Sequence, residues 1–323
     1  MKRSKTTGRR IGTLVLVTLL ISIGLGSSCA RKPQRIRIGY LPINLSLPFF
    51  VAVDKGYFSQ AGIEVEPVEY TTADQLTNAL LAGSIEMTAN TSTSTFLGTV
   101  EESPGFGEIY MISIHDPQNY LDALLVKKGS AIKRVEDLKG KKIGIFPGST
   151  NVVNLSIALN NFHMNAKTDV EIVQLPPQNH IGALASGQVD ALYTLEPLVT
   201  VAISQGVGEV LLQGLNAKYM VNPFPGGVYL VSTKFYENNR PIARKAMEAV
   251  YQAVDFIRSN EPEARKSYEK YTPIKGEIAQ KTHIGAWWKL DEIQKDKVRM
   301  LIDVLYQNKL LKTNLDIENY YLR

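Results

Sequence analysis

The 323-residue sequence predicts an α/β protein built from two units of similar size and a helical C-terminal section. Three observations lead there. Short β-branched runs alternate with amphipathic helical stretches. The alternation stops near residue 114 and restarts near 123. From Pro241 onward the pattern is helical. Strands alternating with helices read as βαβ units on a largely parallel sheet. No short repeat at a fixed period occurs, which argues against a solenoid.

Each element has a local reason. Residues 35–40 alternate polar and β-branched residues, as a strand does. Ser46 stands where a helix cap would, with Pro48 in the first turn and Gly56 at the end. Residues 63–66 read as a strand. Residues 73–82 read as a helix with Leu76, Leu80 and Leu81 on one side and Gly83 beyond it. Residues 85–89 and 109–114 are further strands. In the second unit, strands are expected at 123–126, 142–146, 170–175 and 189–193. Helices are expected at 152–161 and 179–185, and from 193 to Gln205, with a helical turn at 135–138. A strand at 228–232 precedes helices at 241–259, 262–270, 277–286 and 291–308. Trp287 and Trp288 are assigned to this helical tail as packing residues.

With 44% hydrophobic and 21% charged residues, the composition excludes a largely disordered or fibrous chain. A net charge of +5 could indicate a nucleic-acid or membrane-surface protein. However, residues 1–29 hold Lys2, Arg3, Lys5, Arg9 and Arg10 and no acid, so the remaining chain is formally neutral.

Those first residues have the layout of a lipoprotein-type signal peptide. A basic stretch is followed by an apolar run from Ile11 to Leu25 and by Gly26-Ser27-Ser28-Cys29. The apolar run is short for a spanning helix; an uncleaved anchor is the alternative. Cys29 is the sole cysteine, so it has no intramolecular disulfide partner. Its place resembles the lipid-modified cysteine of bacterial lipoproteins, although Gly26 stands where an aliphatic residue is usual. The expected protein is exported to the periplasm or cell surface and lipid-anchored at Cys29, with 30–34 as a linker.

Several segments carry a family resemblance. They include Asp54-Lys55-Gly56-Tyr57-Phe58 with Gly62-Ile63-Glu64-Val65, and Ala79-Leu80-Leu81-Ala82-Gly83-Ser84-Ile85-Glu86. Further on stand Asp137-Leu138-Lys139-Gly140-Lys141-Lys142-Ile143-Gly144, Pro147-Gly148-Ser149-Thr150 and Ala183-Leu184-Ala185-Ser186-Gly187-Gln188-Val189-Asp190-Ala191. Glu196-Pro197 and Gly226-Gly227-Val228 complete the set. In this order, over about residues 35 to 260, the chain resembles the periplasmic substrate-binding proteins of ABC transporters. The branch is that of nitrate, sulfonate and taurine binders and thiamine-pyrimidine-precursor binders. Glu86 stands where the family often has Asp. The resemblance implies a two-lobe type II periplasmic-binding-protein fold with two crossover segments. Lobe one would be 35–119 plus 224–323, and lobe two 120–223. It also implies a monomer that takes a small-molecule ligand to a membrane permease with a cytoplasmic ATPase. Such a protein uses no cofactor, binds no nucleic acid and does no chemistry. The thiamine-pyrimidine synthase that shares this fold is the enzyme rival; it is linked to a cysteine-rich motif that this chain lacks.

Ligands of α/β sheets bind at loops on the carboxyl ends of strands. Gly148, Ser149, Thr150 and Asn151 lie between a strand and a helix, where free N–H groups and hydroxyls attract an anion; an ordinary cap is the alternative. Thr91 and Ser92, in a run of five hydroxyl residues, could form a second donor set, or a solvated loop. Asn44 and Ser46 follow the first strand, although capping alone would account for Ser46. His115 ends a strand near a crossover, with a hinge or core role as alternative and no metal partner in view. Tyr193 could stack on a ring, and Glu196 could accept from an amino or amidine group; a helix first-turn acid is the plainer reading of Glu196. No metal site and no catalytic residue is expected. The expected ligand is a small organic anion, sulfonate-like or nitrate-like, with a pyrimidine-like heterocycle as the alternative.

Overall fold

A computed structural model describes residues 34–116, 118 and 120–323. The expected signal segment 1–29 with Cys29, and most of the expected linker 30–34, lie outside the described residues. Gln34 already belongs to the first strand.

The first part of the chain runs β1 (Gln34–Tyr40), α1 (Leu47–Asp54), α2 (Tyr57–Gln60), β2 (Ile63–Glu69), α3 (Ala73–Leu81), β3 (Met87–Ala89), β4 (Thr91–Ser92), α4 (Thr93–Glu102) and β5 (Gly107–His115). The middle part runs β6 (Asp122–Lys127), β7 (Lys142–Ile145), α5 (Ser149–Asn160), β8 (Glu171–Gln174), α6 (His180–Ser186), β9 (Ala191–Leu195), α7 (Leu198–Ser204), β10 (Gly208–Gln213) and α8 (Leu215–Tyr219). The last part runs β11 (Phe224–Ser232), α9 (Thr233–Ser259), α10 (Glu261–Tyr271), α11 (Gly276–Lys281), β12 (Ala286–Lys289) and α12 (Lys295–Gln307).

Two sheets result. One has seven strands in the order β12-β5-β11-β3-β1-β2, with β4 paired to β11; the other has five in the order β10-β6-β9-β7-β8. The chain passes from the first to the second between His115 and Asp122, and returns between Gln213 and Phe224. Neither sheet is largely parallel, which corrects the expectation. β1 pairs in parallel with β2 and β3, but β11 runs antiparallel to β3, β4 and β5. In the smaller sheet β7 is parallel to β8 and β9, whereas β6 is antiparallel to β9 and β10. Alternation with helices does not encode strand direction where a strand from a distant segment inserts, as β11 does beside β5.

Apolar burial explains the packing. On β1, Ile36 and Ile38 point into a core with Phe49 and Phe50 of α1 and with Ala246, Met247 and Val250 of α9. Each such side chain contributes about 1.5–3 kcal/mol of transfer free energy. β5 is buried along almost its whole length, as a central strand should be.

Four further expectations are corrected. The tail helix expected over 277–286 stops at Lys281, and Ala286–Lys289 pairs antiparallel with β5. Trp287 and Trp288 are therefore strand residues on opposite faces, each in a different core cluster. Thr91 to Thr95 is not a loop: β4 leads directly into α4, whose Phe96, Leu97 and Val100 are buried. α5 begins at Ser149, not at 152. The helix expected from 241 begins at Thr233, where Ser232 caps it, and bends at Asn239 just before Pro241.

Candidate functional site

The junction between the two sheets brings Ser92 and Thr150 together. Ser92 caps α4, Thr95 belongs to its first turn, and Thr150 to the first turn of α5. Ser92 Oγ lies 2.9 Å from Thr150 Oγ1, and Thr95 Oγ1 lies 2.8 Å from it. Thr95 Oγ1 also donates to Asp74 Oδ1 at 3.1 Å. A carboxylate only accepts, so the donors are fixed in order: Ser92 to Thr150, Thr150 to Thr95, Thr95 to Asp74. Ser92 Oγ itself accepts from the Thr95 N–H. Three hydroxyls thus bridge helices from the two sheets. Neither helix has an acid in its first turn, and no side chain caps α5.

A groove of about 350 Å³ opens beside this bridge, lined by Asp74, Thr95, Glu102, Ser149, Thr150 and Leu310 among others. Two carboxylates make it a poor seat for an anion.

The other candidates are placed as follows. Gly148 adopts a φ of 112°, and its N–H donates to Gln174. Ser149 is exposed, and Asn151 Nδ2 donates to the Pro147 carbonyl at 3.5 Å. Thr91 faces its own sheet, bonded to Thr77 and to the Ala73 carbonyl. Ser46 is buried, but its hydroxyl donates to the Ala89 carbonyl at 2.9 Å and makes no cap bond. Asn44 is buried and donates to the His283 carbonyl at 2.9 Å.

Glu196 is buried where β9 meets α7. It accepts from the Thr200 N–H at 3.1 Å and the Thr200 hydroxyl at 3.0 Å, and also from the His283 N–H. Burial pushes its carboxyl up to about 7, against those hydrogen bonds and the nearby Arg265. The His283 peptide is thereby held by Glu196 on one sheet's side and Asn44 on the other.

His115 and Tyr193 belong to a buried network. His115 Nδ1 lies 3.4 Å from Asp122 Oδ1, a partner that the sequence did not reveal. Asp122 Oδ2 accepts from the Asn216 N–H at 3.2 Å, and Tyr193 donates to Asn216 Oδ1 at 2.9 Å. Asn154 hydrogen-bonds the Tyr193 hydroxyl, whose titration burial and Asp122 push up. Asp74, Asp122, Asn154 and Asn216 were not singled out from sequence, and Thr95 only as one of the run of five hydroxyl residues. Asn154 could have been: it lies four residues after Thr150, on the same helical face, once α5 is started at Ser149. Among the described residues no group of three or more His, Cys, Asp or Glu is placed to hold a metal ion, and no helix is long and apolar enough to cross a membrane.

Residues 44–264, more than half of the chain, match the family described as NMT1/THI5 like. The chain belongs to the NMT1/THI5-like family. Among its relatives is a protein of Escherichia coli (strain K12) named putative aliphatic sulfonates-binding protein, 26% identical over 254 residues, covering 78% of this chain and 76% of the relative. A second is the 4-amino-5-hydroxymethyl-2-methylpyrimidine phosphate synthase THI13 of Saccharomyces cerevisiae (strain ATCC 204508 / S288c), 22% identical, covering 73% of this chain and 70% of that one. Among solved structures, the alkanesulfonate-binding protein SsuA from Xanthomonas axonopodis pv. citri bound to MOPS superposes with a TM-score of 0.73. It is 21% identical, and the match covers 90% of this chain and 99% of that one. The fold of this family member is the periplasmic binding protein fold expected from the sequence.

Proposed function

We propose that the protein is an exported solute-binding protein that delivers a small organic anion, sulfonate-like or nitrate-like, to an ABC import permease. One observation carries the reading. The N-termini of α4 and α5, from the two sheets, meet through the hydroxyls of Ser92, Thr95 and Thr150 with no acid in either first turn. Helix N-termini present unpaired N–H groups and positive dipole ends, so two of them across a junction favour a bound anion, and they do so against the Asp74 carboxylate at which the hydroxyl bridge ends. The relative named for aliphatic sulfonates supports the ligand class. In this reading the lobes 35–119 plus 224–323 and 120–223 close on the ligand as a hinged clamp. The permease then takes the closed form, and Cys29 carries the lipid that keeps the monomer at the membrane surface. Ser92, Gly148, Ser149, Thr150 and Asn151, at the two helix starts, are its ligand-side residues, whereas Asn44, Ser46, Thr91, His115, Tyr193 and Glu196 hold protein partners around them. No chemistry is assigned to the protein. The yeast relative keeps a second reading in view, a binder or synthase of a pyrimidine-like compound. Against it, Glu196 already spends its carboxylate on Thr200 and His283.

The test is a thermal-shift titration of the full chain in detergent with ethanesulfonate, nitrate and 4-aminopyrimidine. Sulfonate or nitrate should raise the melting temperature with concentration, about 2.7 kcal/mol of stabilisation at a hundred times the dissociation constant. Stabilisation by 4-aminopyrimidine alone would overturn the anion.

A further inference from the structure

A second cleft, of about 320 Å³, is lined by Glu108, Tyr236, Glu237, Arg240 and Arg323 among others. Glu108 stands near the start of β5 and His115 at its end, so about 23 Å of strand separates this cleft from the junction of the sheets. Tyr236 is buried beneath the cleft. Its hydroxyl donates to the Arg323 carbonyl at 3.2 Å and accepts from Arg244 Nε at 3.1 Å, which fixes the ring. Two carboxylates and two guanidinium groups surround it, yet among the described residues none of the four is in an ion pair. Arg240 lies over the Tyr236 ring, 5.1 Å from its centre, and Arg323 donates to Asn319 Oδ1 at 2.8 Å. Both keep further N–H donors, in the planar fork that suits a phosphate. Burial and the charge of Glu237 push the Glu108 carboxyl up, against Arg240 and Arg323. The two carboxylates repel each other, and an ammonium between them would relieve that repulsion. The chain enters the fold beside this cleft. Gln34 Nε2 donates to Asn239 Oδ1 at 3.2 Å, and Asn239 precedes Arg240 at the bend in α9. Cys29 is five residues before Gln34, so the reach of an extended chain keeps it within about 18 Å. A lipid on Cys29 would hold Gln34 within that distance of the membrane surface.

We propose that this cleft takes a phosphoethanolamine headgroup of the membrane lipid, with the phosphate on Arg240 and Arg323 and the ammonium between Glu108 and Glu237. It rests on the Cys29 anchor of the reading above and adds a second attachment, which sets how the larger sheet faces the membrane. A phosphoglycerol headgroup brings no cation to the carboxylates. A phosphocholine headgroup brings one without N–H donors, and a carboxylate only accepts. Docking here leaves the junction, at the other end of β5, free for the solute.

Calorimetry of the protein in detergent tests the cleft with glycerophosphoethanolamine, glycerophosphocholine and inorganic phosphate. The first should bind at least about tenfold tighter than the other two, which is one charge-assisted hydrogen bond. Arg240→Gln and Glu237→Gln, both at exposed positions, should each remove that advantage, with melting temperature as the check on folding. Hydrogen exchange of the protein reconstituted in vesicles tests the membrane. Exchange over residues 236–240 should be at least about fivefold slower in phosphatidylethanolamine than in phosphatidylcholine vesicles, and Arg240→Gln should abolish the difference. No advantage for glycerophosphoethanolamine, or one that survives both variants, would overturn the cleft. Binding of the soluble compound with no difference between vesicles would overturn the membrane as its source. Cys29→Ser judges the anchor separately. If vesicle attachment is lost with Cys29→Ser while exchange ignores the headgroup, the anchor stands and the cleft falls. If attachment survives Cys29→Ser but not Arg240→Gln, the cleft stands and the anchor falls.

Discussion

Asp74 is where the protons of the hydroxyl bridge end. Thr95 donates to it, and Thr150 and Ser92 follow in line. An anion seated at these helix ends competes with that carboxylate for the same protons and is repelled by its charge. Asp74→Asn should therefore tighten anion binding about three- to tenfold, read by calorimetry; weaker binding would place the anion elsewhere. Glu196 is the second informative residue. Its carboxyl is held near 7, above the ordinary 4.5, because burial disfavours the charge. The folded state then holds a proton that the unfolded chain releases. This stabilisation is full below pH 4.5 and is lost as pH rises through 7; the difference is worth about 3 kcal/mol. Urea unfolding between pH 5 and pH 8 should show this loss, and Glu196→Gln should flatten it.

At the scale of elements, β12 departs most from the periodicity. Trp287 and Trp288 lie on opposite faces of the larger sheet, and the Trp287 indole donates to the Leu45 carbonyl at 3.1 Å. Trp287→Ala removes a large buried ring, while the Leu45 carbonyl keeps its bond from the Tyr229 hydroxyl, so the cavity alone should cost about 3–5 kcal/mol in urea unfolding. A cost under about 1 kcal/mol would return the pair to a loosely packed tail. Much of the rest was legible. β1, α3 and β7 lie where their alternation and glycine stops put them, since those signals are local. α4 was missed because its start, Thr91 to Thr95, has the composition of a loop. Its burial of Phe96, Leu97 and Val100 overrides that preference. The site was half legible for the same reason. Gly148 to Asn151 stand out between a strand and a helix and Ser92 as a hydroxyl at a strand's carboxyl end, whereas Asp122 and Asn216 matter only through partners distant in sequence.

The whole molecule has its charge at one end. Beyond residue 29 it is formally neutral, so an anion is not drawn in by a basic surface. The association rate for a bound sulfonate should change less than about twofold between 0.05 and 0.5 M salt, by stopped-flow tryptophan fluorescence. A tenfold fall would reveal long-range steering. By itself the sequence determined the α/β class, the two-unit order and the family, because these rest on local periodicity and ordered motifs. Only the tertiary structure decided strand direction, the hydroxyl bridge ending at Asp74 and the network from Asn154 to His115. Those depend on which distant segments meet, and the Asp122 carboxylate and the Asn216 N–H it accepts from, 94 residues apart, carry no local mark of their partnership.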